Sequence, residues 1–356
     1  MKRFILIAAA LLTVAACGQR PKKAVEQSDT LRFVFLTDMH IESDFIERGH
    51  PVYEHYAVGN HASLEKTFEF INEDPLCSKA SFILLGGDNI NTGYEREHQS
   101  LVDEMVNYHR LVGKLNLYNN KEGLEAFKFE APQSYTCAEN IGPDQAPMEF
   151  HSPVLGSKVI PIQGNHDTDV EEFYRNCAFQ CGGVRFICFF CHYCALPAPP
   201  GQYKSTGRIA DDTFAFVKDQ IERAAKDPEI RQIVLVNHWG IAPGFKWHIY
   251  DACEANGWND NRQKILDLAE KYNIRLYING HEHNRDFPVE KVGNMYDINC
   301  GAVASGDQGK WSLVEITPDK ALFHIYTRAN TELAPDGSTV FTSLPALERT
   351  IEIPLK

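Results

Sequence analysis

Aspartate, histidine and asparagine recur along this sequence in short groups, most of them led by glycine. The groups are Asp38-Met39-His40, Gly86-Gly87-Asp88-Asn89, Gly164-Asn165-His166-Asp167, Asn237-His238 and Gly280-His281-Glu282-His283. Carboxylate oxygen, imidazole nitrogen and amide oxygen are donors for a divalent metal. With no thiolate among them the set suits Mn, Fe, Zn or Co. Residues two apart on extended backbone face the same side, so Asp38 with His40, and His281 with His283, are expected to converge. The glycines before Asp88, Asn165 and His281 permit tight turns.

Each group follows a short apolar run of β-prone residues. Predicted strands cover Arg32–Thr37, Ser81–Leu85, Lys158–Ile162, Gln232–Val236 and Ile274–Ile278, with a further one at Gly183–Phe190. Between them, Ala62–Asn72, Leu101–Leu115, Asp211–Ala225 and Arg262–Tyr272 carry the apolar spacing of helices. This alternation predicts an α/β fold, and the C-terminal ends of its strands are where such folds place ligands. From Pro288 onward the pattern is strands alone, with Trp311–Thr317 and Ala321–Thr327 joined through the turn pair Pro318-Asp319. The stretch from Asn91 to Ser157 is long for a connection and predicts a helix plus an irregular lobe, a candidate substrate wall.

In chain order the groups read D-x-H, G-D, G-N-H-D, H and G-H-x-H, and on them the chain resembles the calcineurin-like metallophosphoesterase superfamily. The resemblance implies a four-layer α-β-β-α sandwich with the metal site at the C-terminal ends of the strands. It implies two divalent metal ions, one on Asp38, His40, Asp88 and His283, the other on Asp88, Asn165, His238 and His281, with Asp88 bridging. His166 would lie beside the leaving group, with Asp167 orienting its ring. Two cations about 3.5–4 Å apart lower the pKa of a shared water, so that a bridging hydroxide attacks phosphorus in line while the ions clamp the phosphoryl oxygens. The leaving oxygen then requires a proton or charge stabilisation, a task suited to a histidine. The expected activity is metal-dependent hydrolysis of a phosphomonoester or phosphodiester, with a phosphorylated small molecule, nucleotide or lipid as substrate.

A lone Asp or His at a strand end is more often a turn-former or a satisfied hydrogen-bonding group, but five such groups in the family order reverse that weighting. Gly59-Asn60-His61 imitates one motif without its Asp and reads as a helix start. Asn91 stands where the purple acid phosphatase branch has a metal-ligating Tyr, which argues against an iron-tyrosinate enzyme. His50, His55, His98, His109, His151, His248 and His324 sit in no motif and are expected to be surface or structural. Trp239, Phe245, Trp247, Tyr250 and Trp258 are either packing or a stacking surface for substrate. Arg208 and Arg285 are either phosphate contacts or surface ion pairs. The different class of function to weigh is a non-catalytic cell-surface binding lipoprotein on the same scaffold.

The formal charge of −13 argues against broad electrostatic binding to nucleic acid. Lys2 and Arg3 precede an apolar run, Phe4 to Ala16, that is too short to span a bilayer and reads as a signal peptide. Val14-Ala15-Ala16-Cys17 resembles the lipobox of bacterial lipoproteins, in which the Cys is acylated. The organisation expected is a signal peptide over 1–16, a lipidated Cys17 with a flexible tether to residue 30, and a folded domain over 31–356. Within that domain, 31–287 bears the motifs and 288–356 closes the fold. The protein would then be an exported lipoprotein of the cell envelope, on the membrane through its N-terminal lipid anchor. Of the 10 cysteines, Cys177, Cys181, Cys188, Cys191 and Cys194 crowd together. Buried packing, a disulfide such as Cys177–Cys181 on a short helix or turn, and a zinc or iron–sulfur site with His192 are the alternatives.

Overall fold

The computed structural model describes residues 30–43, 51–91, 98–132, 134–137, 148–167, 170–196, 204–249, 260–284, 286–304 and 309–356. The leader, Cys17, His50, Tyr250, Trp258 and Arg285 lie outside these residues, and the side chains of His55, His98, His192 and Cys194 are likewise not described.

Twelve strands form two six-stranded sheets. In chain order they are β1 (Leu31–Leu36), β2 (Phe82–Leu85), β3 (Val159–Pro161), β4 (Cys177–Cys181), β5 (Val184–Cys188), β6 (Gln232–Val236), β7 (Leu276–Asn279), β8 (Val289–Val292), β9 (Met295–Asn299), β10 (Lys310–Ile316), β11 (Lys320–Thr327) and β12 (Ala346–Pro354). The first sheet runs β12-β11-β10-β1-β2-β3 and the second β8-β9-β7-β6-β5-β4. Among the described residues four α-helices accompany them: α1 (Pro51–Glu73), α2 (His98–Val112), α3 (Asp211–Ala224) and α4 (Asn261–Lys271).

Strand alternation sorts the apolar side chains into three cores, and three cores require four layers. Phe33 and Phe35 of β1 point into the space between the sheets, where they meet Phe82, Phe179, Phe186, Val234, Ile278 and Val314. Val34 and Leu36 point the other way, against Leu64 and Phe68 of α1 and Leu111 of α2. On the outer face of the second sheet, Ile187, Leu235 and Tyr277 pack on Val217 and Ile221 of α3 and Ile265 of α4. The result is the α-β-β-α sandwich.

The parallel pairings β1–β2, β2–β3, β6–β7 and β5–β6 bring the C-terminal ends of the motif-bearing strands to one edge of the molecule. After Pro288, β8 and β9 complete the second sheet, while β10, β11 and β12 extend the first sheet antiparallel from β1.

Two local expectations are corrected. Cys177–Cys181 is a strand and not a helix or turn, because Cys177 and Phe179 alternate inward while Ala178 faces the outer helices. Residues four apart on a strand are about 13 Å apart, far beyond disulfide reach. Cys177, Cys181 and Cys188 are free thiols, and no metal-holding group among the described residues includes a cysteine. Asn60-His61, expected to start a helix, lies well inside α1, which begins nine residues earlier at Pro51.

Candidate metal centre

Asp38 and His40 follow β1, Asp88 follows β2, Asn165 to Asp167 form a short 3-10 turn after β3, His238 follows β6, and His281 and His283 follow β7. Their convergence does not arise from extended backbone, as the spacing of two predicts. The strands have already ended, and Asp38, His40, Asp88, His281 and His283 all adopt positive φ, between 43° and 70°. A non-glycine residue in this region costs about 1–3 kcal/mol and persists only where its surroundings enforce it, most often at functional sites. The glycines also serve closeness as well as turning. A Cβ on Gly164 would lie 2.2 Å from Asp88 Oδ1, and one on Gly280 would lie 2.5 Å from Asp38 Oδ2.

Asp88 sits at the middle. Its Oδ1 accepts the His166 backbone N–H at 2.8 Å. Its Oδ2 lies 3.1 Å from His238 Nε2 and 3.9 Å from both His40 Nε2 and His166 Nε2. On one side, Asp38 Oδ1 is 3.2 Å from His283 Nε2, and His40 Nε2 is 3.1 Å from His283 Nε2. On the other, His281 Nδ1 is 3.3 Å from His238 Nε2. Three groups thus gather donor atoms within 4.8 Å of one another: Asp38/His40/His283, His40/Asp88/His166 and Asp88/His238/His281.

These donors fit divalent cations better than they fit one another. Asn165 Oδ1 is buried without a hydrogen-bond partner. A buried oxygen left in that condition costs about 1–3 kcal/mol, and the imidazole pair of His40 and His283 has room for a single proton between its nitrogens. Burial pushes His40 down to about 4 and His281 down to about 3, so both rings are neutral and free to coordinate. Burial also opposes the charge on Asp38 and Asp88, yet His238 and its neighbours pull Asp38 down to about 2 and Asp88 well below the usual carboxylate range. Burial works against charge on His238 as well, but Asp88 and Asp38 raise it to about 9. In the metal-free protein that imidazolium takes the place of a cation.

Asp167 does not orient the His166 ring. Its carboxylate is taken up by the backbone N–H groups of Asn89, Ile90 and Gly164 and by Asn89 Nδ2, at 2.9–3.1 Å. Four donors that converge on one buried carboxylate tie the Asp88 loop to the Asn165 loop. The His166 ring is instead held through Nδ1 by the carbonyl of Asn91. Asn91 directs its own amide to Glu42 Oε1 at 3.0 Å.

Several further residues support the site in ways the sequence did not indicate. Thr37 Oγ1 lies 2.7 Å from Asp38 Oδ2. Asn60 of α1 donates to the Met39 carbonyl, between Asp38 and His40, and accepts from Arg328 at 2.6 Å. Trp239 stacks on His281 with ring centroids 3.7 Å apart, and Trp247 meets the same ring edge-on at 5.6 Å. Trp239 and Phe245 are buried packing, while Trp247 is half-buried at the rim. Arg208 lies next to Gly207, which packs against the Trp239 indole. His109, His248 and His324 pair elsewhere, with Tyr118, the Phe245 carbonyl and Thr350.

The family model for calcineurin-like phosphoesterases matches residues 31–285. The chain belongs to that family. No curated protein matches the sequence as a relative. Among solved structures it is similar to PhoD, at 11% identity and a TM-score of 0.42, covering 90% of this chain and 72% of that one. It is similar to Vacuolar Protein Sorting 29 from Cryptosporidium parvum, at 11% identity and a TM-score of 0.30, covering 90% and 99%. The NAD nucleotidase of Haemophilus influenzae gives 10% identity and a TM-score of 0.33, covering 89% and 50%. The family assignment rests on the sequence model, not on these distant likenesses. Calcineurin-like phosphoesterases are metal-dependent phosphoester hydrolases, and the Asp and His groups of this member are able to hold divalent metal.

Proposed function

We propose that the protein is a dinuclear phosphoester hydrolase in which Asp38, His40, Asp88 and His283 hold one divalent ion and Asp88, Asn165, His238 and His281 the other. The observation that supports this best is Asp88, a buried carboxylate placed between an Asp/His/His group on one side and a His/His pair on the other. When bound, the ions supply an ionised water as nucleophile and electrostatic stabilisation of the phosphoryl oxygens.

The chain's own residues do the rest. The His166 backbone N–H fixes Asp88 so that its free oxygen faces the imidazoles. The carbonyl of Asn91 accepts from His166 Nδ1. The proton passed to the leaving oxygen is therefore carried on Nε2, the nitrogen that faces Asp88 across 3.9 Å. Asp167 keeps the two loops in register. The intact donor set and His166 speak for catalysis over a binding-only role. On the same reading the enzyme is exported and held at the envelope by lipid on Cys17, and it acts on a phosphorylated small molecule, nucleotide or lipid.

The test is chelation followed by assay with aryl phosphate monoesters and diesters. Hydrolysis is expected to fall to background and to return with Mn2+ or a related ion. Full activity in metal-free protein overturns the proposal.

A further inference from the structure

Asp297 is a carboxylate buried in the middle of β9, outside every metal motif, and both its oxygens are occupied. Oδ2 accepts the backbone N–H groups of Ile241 at 2.7 Å and Ala242 at 2.8 Å, in the turn that follows His238. Oδ1 accepts Asn279 Nδ2 at 2.5 Å. Asn279 Oδ1 in turn accepts Asn299 Nδ2 at 2.6 Å, and the same Asn299 amide donates to the carbonyl of Gly280, the residue before His281. Asp297, Asn279 and Asn299 are all fully buried. Burial pushes Asp297 up to about 7 against these donors and against Arg262 of α4, which donates to the Ile241 carbonyl at 2.8 Å and sets a positive charge near the carboxylate.

The polarity of this chain has one source. A carboxylate only accepts, whereas each Asn amide accepts at one end and donates at the other. Because N–H donors reach both oxygens of Asp297, which accepts at each, Asn279 turns its NH2 toward Asp297 and its oxygen toward Asn299, and Asn299 then turns its NH2 toward Gly280. An amide at 297 would place a donor against a donor. Flipping Asn279 only moves that clash on to Asn299, which already has the Gly280 carbonyl to satisfy. Resting on the dinuclear reading above, we propose that Asp297 is a positioning residue for the second metal subsite. It fixes the His238 loop directly and the His281 loop through Asn279 and Asn299.

The test titrates the metal-free full-length chain with Mn2+ alone by calorimetry and resolves the two ions. Wild type is expected to bind two. Asp297→Asn is expected to weaken the ion on Asp88/His238/His281 by about 10–100-fold, the usual effect of losing a residue that orients a ligand, and to leave the ion on Asp38/His40/His283 unchanged. The decisive variant is Asp297→Asn/Asn279→Asp, which moves the carboxylate one step along the chain. The carboxylate at position 279 then accepts from the amide at position 297 and from Asn299, while the amide oxygen at 297 still accepts from Ile241 and Ala242. This double variant is expected to recover second-ion affinity, and with it kcat at unchanged KM. Unchanged second-ion affinity in Asp297→Asn, equal weakening of both ions, or no recovery in the double variant overturns the role of Asp297 while two ions still bind to wild type. A wild type that binds fewer than two ions overturns the dinuclear reading itself and this role with it.

Discussion

The two halves of the metal centre are built differently. The Asp38/His40/His283 half lies toward solvent, with the His283 side chain 42% exposed and His166 beside it, its ring 4.9 Å from that of His40. The Asp88/His238/His281 half lies deeper, with Asp88 and His238 buried and His281 partly so. His238 is anchored through Nδ1 to the Gly86 carbonyl at 2.9 Å, and His281 is covered by Trp239. Behind this half stands a buried polar chain; behind the other stand Thr37 and Asn60. The contrast suits a division of labour. On the dinuclear reading proposed above, the buried half would be pre-organised to hold its ion, and the open half would be placed to receive substrate and deliver the proton. Rigid support lowers the cost of holding strained, desolvated ligands, and exposure permits exchange.

Asp88→Asn is expected to have the largest effect, because it removes the one residue the halves share. A neutral amide leaves two cations unbridged, so bound metal should fall from two ions toward one or none. Activity should drop further than for any other single ligand change. Metal analysis beside turnover checks this, and an Asn variant that keeps two ions and normal rate would place the bridge elsewhere.

His166→Ala separates the chemistry from the metal. Both ions should remain while turnover falls by roughly 10²–10⁴-fold, the range for general acid catalysis. An activated nitrophenolate should suffer less than a poor alkoxide leaving group. Loss of metal together with equal loss on both substrates would instead make His166 a support for the ligands.

The smallest effect concerns pH and metal-free protein. His238 has a folded pKa of about 9 against about 6.5 in an unfolded chain. A raised folded value means that its stabilisation is complete below about pH 6.5 and disappears as pH rises through 9. At about 1.4 kcal/mol per unit this amounts to at most about 3.5 kcal/mol. Asp38 and Asp88, shifted down, act at acid pH and leave this window alone. Thermal unfolding should therefore show stability falling between pH 7 and 9 without metal. With metal bound the slope should flatten, since a coordinated imidazole carries no proton to lose. An equal slope in both forms would mean that His238 binds no ion.

The layers and the ligand types were legible in the sequence because both follow from local rules. Short apolar runs of β-prone residues marked the strands, and the order of polar groups at their ends marked the donors. The backbone at those ends was not legible. Nothing in Asp38-Met39-His40 announces that Asp38 and His40 both take positive φ, since a neighbouring strand and helix impose that conformation. Asp167 defeats a local reading for a related reason. Its place beside His166 in sequence suggests a partner for the ring, but the four donors that claim it come from two loops. Asp297 did carry a signal, a charged residue between Tyr296 and Ile298 in a short strand. Its partners Ile241 and Asn279 come from elements distant in the chain, so only the folded arrangement names them.

Anomalous diffraction from crystals grown with Mn2+ tests the shared-carboxylate centre most directly. Two peaks about 3.5–4 Å apart are expected on either side of Asp88, one bounded by Asp38, His40 and His283 and the other by Asn165, His238 and His281. A single peak, or two peaks with Asp88 touching only one, would contradict the account.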